Sequence, residues 1–192
     1  MPNYCDDCLI IKGSAKDVKE FHDKYLTKRR KEDGVEEAEK FSFDKFVPQP
    51  ERPEDCDPRY VIKHKKDAEK RALHWDPREP RKWFDWYEWN INNWGTKWDA
   101  FEANFSYRDG DSEIWIWHTT AWSPGVPVYK KVQDQFPNLE VSACWAESGN
   151  DFVGILRKDG TIEEESLSEK GSLYNEVYLG MMGYEEEPEE EE

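Results

Sequence analysis

An α+β fold, one antiparallel sheet with helices packed against it, is what this 192-residue sequence predicts. Three observations carry the prediction. Apolar and polar residues alternate over 101–120 and again over 139–157, the period of a half-buried strand. Val18, Phe21, Tyr25 and Leu26 fall at i, i+3, i+7 and i+8, one apolar helical stripe. Asp109-Gly110 separates two of the alternating runs with a hairpin turn signal.

Tyr4 to Gly13 reads as a strand centred on Leu9, Ile10 and Ile11. Ser14 suits the N-cap of the helix that follows, with Asp17 three residues on, and the polar run Lys28 to Lys40 ends that helix. Residues 41–60 are proline-rich, open with Phe41, Phe43 and Phe46, and read as a short extended piece followed by loop. Residues 60–78 suit a polar helix. A further helix is expected over Glu79 to Asn93, with Pro80 in its first turn and Trp83, Trp86, Tyr87 and Trp94 on one broad face. Phe101, Ala103, Phe105 and Tyr107 then make a strand answered by Glu113–Thr120, where Ile114 and Ile116 share one face and Trp115 and Trp117 the other. Pro127 opens a helix with Val128, Tyr129, Val132 and Phe136 inward, and Pro137-Asn138 stops it. Leu139, Val141, Ala143 and Trp145 form the next strand, and Ser148-Gly149-Asn150 turns into Asp151–Arg157.

Without an insertion at about 31–100 and the last strand, this order is βαββαβ, the ferredoxin-like split-βαβ arrangement. The expectation is therefore one ferredoxin-like domain over 1–184, with a long Trp-rich helical insertion and an extra C-terminal strand. Glu185–Glu192, seven glutamates and one proline, is expected to be a disordered acidic tail.

Composition narrows the function classes. The chain is 36% hydrophobic and 15% aromatic, with 10 Trp, enough for a packed core. No apolar run reaches the roughly 18 residues of a membrane span, and Met1-Pro2-Asn3-Tyr4 lacks a secretory pattern, so a cytoplasmic protein with no membrane association is expected. The net charge of −16 is uneven: residues 1–100 carry 21 Lys+Arg against 22 Asp+Glu, and residues 101–192 carry 6 against 21, a net of −15. Such a half disfavours nucleic acid and suits a basic protein surface, or simply solubility.

No catalytic motif is complete, and no cofactor or metal is expected. Cys5 and Cys8 have CxxC spacing, but Cys56, Cys144 and the histidines supply no second half of a zinc site. His118-Thr119-Thr120 is half of the paired His-x-Thr arrangement of a phosphodiesterase, and no second His completes it. Ser123 lies near His118 but lacks a nucleophile elbow. The tryptophans are more informative, because Trp is enriched at interfaces and stacks on bases. The candidate binding set is Trp86, Trp89, Asn90, Asn93, Trp94, Gly95, Thr96, Lys97, Trp98, Asp99, Trp117, His118, Trp122 and Glu147. It implies a groove or partner patch between the Asn90–Asp99 block and Trp122–Pro124, with Lys97 and Asp99 as polar anchors. The structural alternative is that the Trp-rich insertion covers the open face of the sheet while Asn90, Asn92 and Asn93 cap and turn the backbone. A basic strip at Lys63, Lys65, Lys66, Lys70 and Arg71 would be needed to hold nucleic acid.

Four phrases carry a family resemblance: Met1-Pro2-Asn3-Tyr4-Cys5, Asn90 to Asp99 with its Trp-Gly-Thr-Lys-Trp core, Trp117 to Pro124, and Ala146-Glu147 to Gly154. Together they resemble the YubB-type ferredoxin-like proteins of bacteriophages, plasmids and integrated elements. The resemblance spans residues 1–154 and implies a fold and a mobile-element origin, not a reaction. The acidic tail and Cys8 depart from the pattern. The expected function is an accessory protein that docks a basic host protein through an acidic, aromatic surface, as an inhibitor of a nucleic-acid-handling or defence system would. The alternatives are a ligand- or single-strand-binding module using the Trp-rich block, and a small phosphodiesterase-like enzyme using His118. The sequence leaves the oligomeric state open.

Overall fold

A computed structural model of the chain describes residues 3–26, 41–50, 57–62 and 83–185. β1 (Tyr4–Lys12) carries a near-continuous buried run from Asp7 to Ile11 because both of its faces are covered. It pairs antiparallel with β5 (Glu113–Ala121) on one side and β6 (Glu140–Glu147) on the other. β4 (Phe101–Ser106) extends the sheet beyond β5, and β7 (Phe152–Leu156) and β8 (Ile162–Glu165) extend it beyond β6. The resulting order is β4-β5-β1-β6-β7-β8, a six-stranded antiparallel sheet. The expected strands are all present and the sheet has one more, β8. Its sequence, Ile-Glu-Glu-Glu, has no apolar alternation, since it is an exposed edge strand held by backbone pairing.

Among the described residues three α-helices form where capping and periodicity agree. α1 (Ala15–Tyr25) begins at Ser14, whose hydroxyl accepts the Asp17 N–H at 3.2 Å, and buries Val18, Phe21 and Tyr25. α2 (Trp86–Trp94) begins at Asp85, whose carboxylate accepts the Glu88 N–H at 3.1 Å, and ends at Gly95 with φ 83°. α3 (Val126–Gln135) has Pro127 in its first turn and buries Val128, Tyr129 and Val132. The expected start at Glu79 is corrected to Trp86. Trp83–Phe84 instead forms β3, paired with β2 (Val61–Ile62). The expected polar helix begins wrongly too, since Pro58–Tyr60 is a 3-10 turn leading into β2. Residues 63–82, with the lysine and arginine strip, lie outside the described residues, as do Cys56 and residues 186–192 of the tail.

The sheet separates two cores. On one face Leu9, Ile11, Ile116 and Trp145 pack with Val18 and Phe21 of α1 and Tyr129 of α3, joined by Phe41, Phe43, Trp89 and Trp94 of the insertion. On the other face Cys8, Ile10, Cys144, Val153 and Ile155 lie under Leu167, Leu173, Tyr174 and Val177. The last two belong to a π-helical stretch, Tyr174–Met181. The insertion was expected to cover the open face. It packs on the helical face, and the C-terminal segment covers the other. Trp145 lies across Gly154, where an added Cβ would sit 2.5 Å from the indole nitrogen, and donates to Glu164 Oε1 at 3.2 Å. No described helix is long and apolar enough to cross a membrane.

Candidate functional site

The Asn90–Asp99 block serves largely to pin the chain to itself. Trp89, Asn90, Trp94 and Thr96 are buried, and Trp86, Asn93, Gly95 and Asp99 are half-buried. Trp94 donates its indole N–H to the Val47 carbonyl at 2.8 Å. Asn90 donates to the Lys97 carbonyl at 2.8 Å and accepts from Gln49 at 2.5 Å. Asn93 donates to the Trp89 carbonyl at 2.9 Å. The Asp99 carboxylate accepts from the Ser42 hydroxyl and the Phe43 N–H, both at 2.5 Å, so it is an internal anchor for the 41–50 segment. Burial raises its pKa above the usual carboxylate range despite those donors. The block does meet Trp122–Pro124 as expected, but by direct packing where a groove was predicted. Thr96 Oγ1 donates to the Ala121 carbonyl at 2.8 Å and Ser123 Oγ donates to the Gly95 carbonyl at 2.7 Å. Glu147 is buried and accepts the Gly149 and Asn150 N–H groups at 2.8 and 2.7 Å, fixing the β6–β7 turn.

His118 belongs to a buried polar network under α3, and with Asp7 it borders the cavity over the β1–β5 end of the sheet. Its Nδ1–H donates to the Ile116 carbonyl at 3.1 Å, leaving Nε2 to accept from the Tyr129 hydroxyl at 2.8 Å. The same hydroxyl lies 2.7 Å from Asp7 Oδ1, and the Thr120 hydroxyl lies 2.7 Å from Asp7 Oδ2 and 2.9 Å from the Ser123 carbonyl. Two hydroxyl protons thus face four acceptors, and a proton on Asp7 relieves the deficit. Burial pushes Asp7 up to about 7 and His118 down to about 4. The ring of His118 packs against Phe41 at 4.8 Å and Phe43 at 5.7 Å, and only 3% of the residue is exposed. Both nitrogens are engaged within the protein, so a substrate-facing base is not what this histidine provides.

What faces solvent is an aromatic ledge. Tyr4, Tyr87, Trp98 and Trp122 are exposed, with Trp122 the most open tryptophan of this surface at 54%. Phe101 links Tyr4 and Trp98, with ring centroids 5.6 and 6.4 Å away. Lys97 Nζ lies over Trp98 at 5.0 Å and Tyr87 at 5.9 Å, so its charge sits on the rings. A cavity of about 460 Å³ opens beside Trp98 and Phe101, and Glu102 lines its far end. Glu102 also lines a second cavity of about 270 Å³, floored by β1 and β5 at Asp6 and Trp117. Trp117 stacks on Trp115 at 5.9 Å on this face of the sheet, away from His118.

The cysteines do not cluster as the spacing suggests. Cys5 and Cys8 point to opposite faces of β1, Cys5 into the helical-side core and Cys8 into the other. This corrects any reading of CxxC as a pair. Cys8 instead stands directly opposite Cys144 across the β1–β6 ladder. Its thiol pKa is raised, first by the hydrogen bond with Cys144 and then by burial. Sequence reasoning missed Asp6, Glu102, Met182 and Tyr184. Glu102 looked like an ordinary outward residue of an alternating strand, and the bulge that re-aims it, with φ 51°, has no sequence signal. No family model, curated protein or solved structure matches the chain.

Proposed function

We propose that this chain is a mobile-element accessory protein that binds a basic host protein through its acidic, aromatic surface. The observation that carries the reading is the ledge of Tyr4, Phe101 and Trp98, beside two cavities whose described lining includes carboxylates and no Lys or Arg. Aromatic anchors beside unbalanced negative charge suit a basic partner. Backbone strain falls on the same surface: Trp122 holds φ 77° and Glu102 φ 51°, conformations that side chains of this size rarely adopt. The host-inhibitor role and the phage or plasmid origin rest on the charge asymmetry and the four sequence phrases. We infer also that β1, α1, β4, β5, α3 and β6 form a ferredoxin-like unit, with β7 and β8 added at one edge. The order β6-β1-β5-β4 within the sheet supports that reading.

The test is affinity capture from bacterial lysate with the wild-type chain and with Trp98→Ala. A basic protein held at low salt, weakened as salt rises and lost with Trp98→Ala, is the expected result. Retention of the same protein by the variant would move the interface elsewhere, and no basic protein at any salt would end the proposal. A second reading, single-strand or small-ligand binding, draws on Trp98 lining the larger cavity. Quenching of Trp fluorescence by oligonucleotides at low salt would favour it, although Glu102 and Asp99 beside the ring oppose phosphate.

A further inference from the structure

The smaller cavity is more specific than the surface around it. Asp6, Glu102, Trp117, Thr119, Met182 and Tyr184, together with Asp7 and His118, line about 270 Å³ of space between the β1–β5 floor and the end of the C-terminal segment. Asp6, Asp7 and Glu102 carry carboxylates, Asp7 being buried in the His118 network, while Trp117 and Tyr184 present aromatic rings and Met182 a thioether. The Tyr184 hydroxyl donates to Asp6 Oδ2, and the Thr119 hydroxyl donates weakly to Asp6 Oδ1 at 3.4 Å, so Asp6 is held in place. Tyr184 itself is braced by stacking on Tyr178 at 4.4 Å. Glu102 is exposed and makes no hydrogen bond or ion pair among the described residues. The register shift between Phe101 and Asn104 turns it toward both cavities at a positive φ.

We propose that this cavity is an arginine pocket, taking one guanidinium side chain from the basic partner. The inference rests on the protein-binding reading above and names the chemistry of its central contact. A guanidinium is planar, stacks on aromatic faces and pairs with carboxylates through a fork of N–H donors. Trp117 and Tyr184 supply ring faces, Glu102 supplies a free carboxylate, and Met182 suits the apolar stem. A metal ion fits less well. Among the described residues no three His, Cys, Asp or Glu side chains are placed to hold one. A polypeptide side chain is the source favoured over a free amine for two reasons. Glu102 lines both this cavity and the Trp98 cavity, so an extended partner segment could reach the two from one carboxylate. Glu185, exposed and next in the chain to Tyr184, also adds negative charge at this edge, where neighbouring basic residues would lie.

The full-length protein labelled at the methionine methyl carbons gives a clean readout, because it holds only 3 Met and Met182 lines the cavity. Acetyl-arginine-amide and a tripeptide, Gly-Arg-Gly, are titrated against their citrulline counterparts, which keep the shape and lose the charge. The expected result is a saturable shift of the Met182 methyl signal with arginine, none with citrulline, tighter binding of the tripeptide, and about tenfold weaker binding in Glu102→Gln. Equal shifts with citrulline, or no saturable shift, overturn the pocket. Binding of acetyl-arginine-amide alone, without gain from the tripeptide, overturns the polypeptide source. The capture experiment separates the two claims: a basic partner held equally by wild type and Glu102→Gln sinks the pocket and leaves the surface reading intact. Glu102→Gly is a second variant that relieves the positive φ, so loss of arginine binding there cannot be assigned to misfolding.

Discussion

Asp7 and His118 are buried within one hydrogen-bonded network and shift in opposite directions, with opposite consequences for pH. Asp7 is raised to about 7, so between about pH 4 and 7 the folded chain keeps a proton that the unfolded chain releases, and stability is lost as pH rises. His118 is lowered to about 4, so the folded chain refuses a proton that the unfolded chain takes, and stability is lost as pH falls from about 6.5 to 4. Each slope reaches about 1.4 kcal/mol per pH unit, and in the intact protein they largely cancel. Urea unfolding across that window is expected to show stability rising with pH in Asp7→Asn and falling with pH in His118→Gln. Wild-type slopes in both variants would contradict the assignment. Gly95 is the other residue with a decided effect. An alanine there would need φ 83° and place its Cβ 2.6 Å from Pro127 Cδ, so Gly95→Ala should destabilise by about 2 kcal/mol or more in the same assay. At this scale the sequence was legible where chemistry is local, as with Ser14 and Pro127. It was silent on Asp7, because nothing in a strand's pattern tells a buried carboxyl from an apolar neighbour. Glu102→Gly carries a related expectation: its unfolding midpoint holds or rises, since the residue is strained and exposed.

Among the elements, the C-terminal segment does what was expected of the insertion. Val177 is fully buried against the sheet face that holds Cys8 and Cys144. Val177→Asp should loosen this cover and raise the modification rate of both thiols by about tenfold or more, while Cys5, beneath α1 and α3 on the opposite face, stays protected. Peptide mapping after thiol labelling distinguishes the sites, and equal protection of all three would show that the segment is not the cover. Strands with alternating burial and helices with a cap and a stripe were readable from residues 4–26 and 101–156. α2 was displaced because Trp and Phe suit strand and helix alike, and Pro80 competed with the better N-cap at Asp85. β8 was unreadable because an edge strand of glutamates owes its form to its neighbour β7.

For the whole molecule, charge was legible at once and location was not. The −15 of residues 101–192 is plain in the sequence, but the meeting of Asp6 with Glu102 in one cavity depends on β1 lying beside β5. Trp98, exposed beside the larger cavity, is expected to act as an anchor, so that Trp98→Ala costs about 2 kcal/mol or more of partner affinity in a calorimetric titration while leaving the unfolding midpoint within a degree or two of wild type. A drop in midpoint matching the affinity loss would make it a packing residue instead.

β1 lies between two strands that both follow it in the chain, and that sets a timetable for synthesis. β1 ends at Lys12, whereas its partner on one side begins at Glu140, 128 residues later. At about 5–20 residues per second, the ribosome takes roughly 6–26 s to deliver that partner. Until Glu113–Ala121 is made, Leu9, Ile10 and Ile11 travel on a strand with neither partner, and until Glu140–Glu147 follows, one edge stays open to chaperones and to neighbouring nascent chains. The flanking charges at Asp6, Asp7 and Lys12 are the local protection this stretch has while it waits.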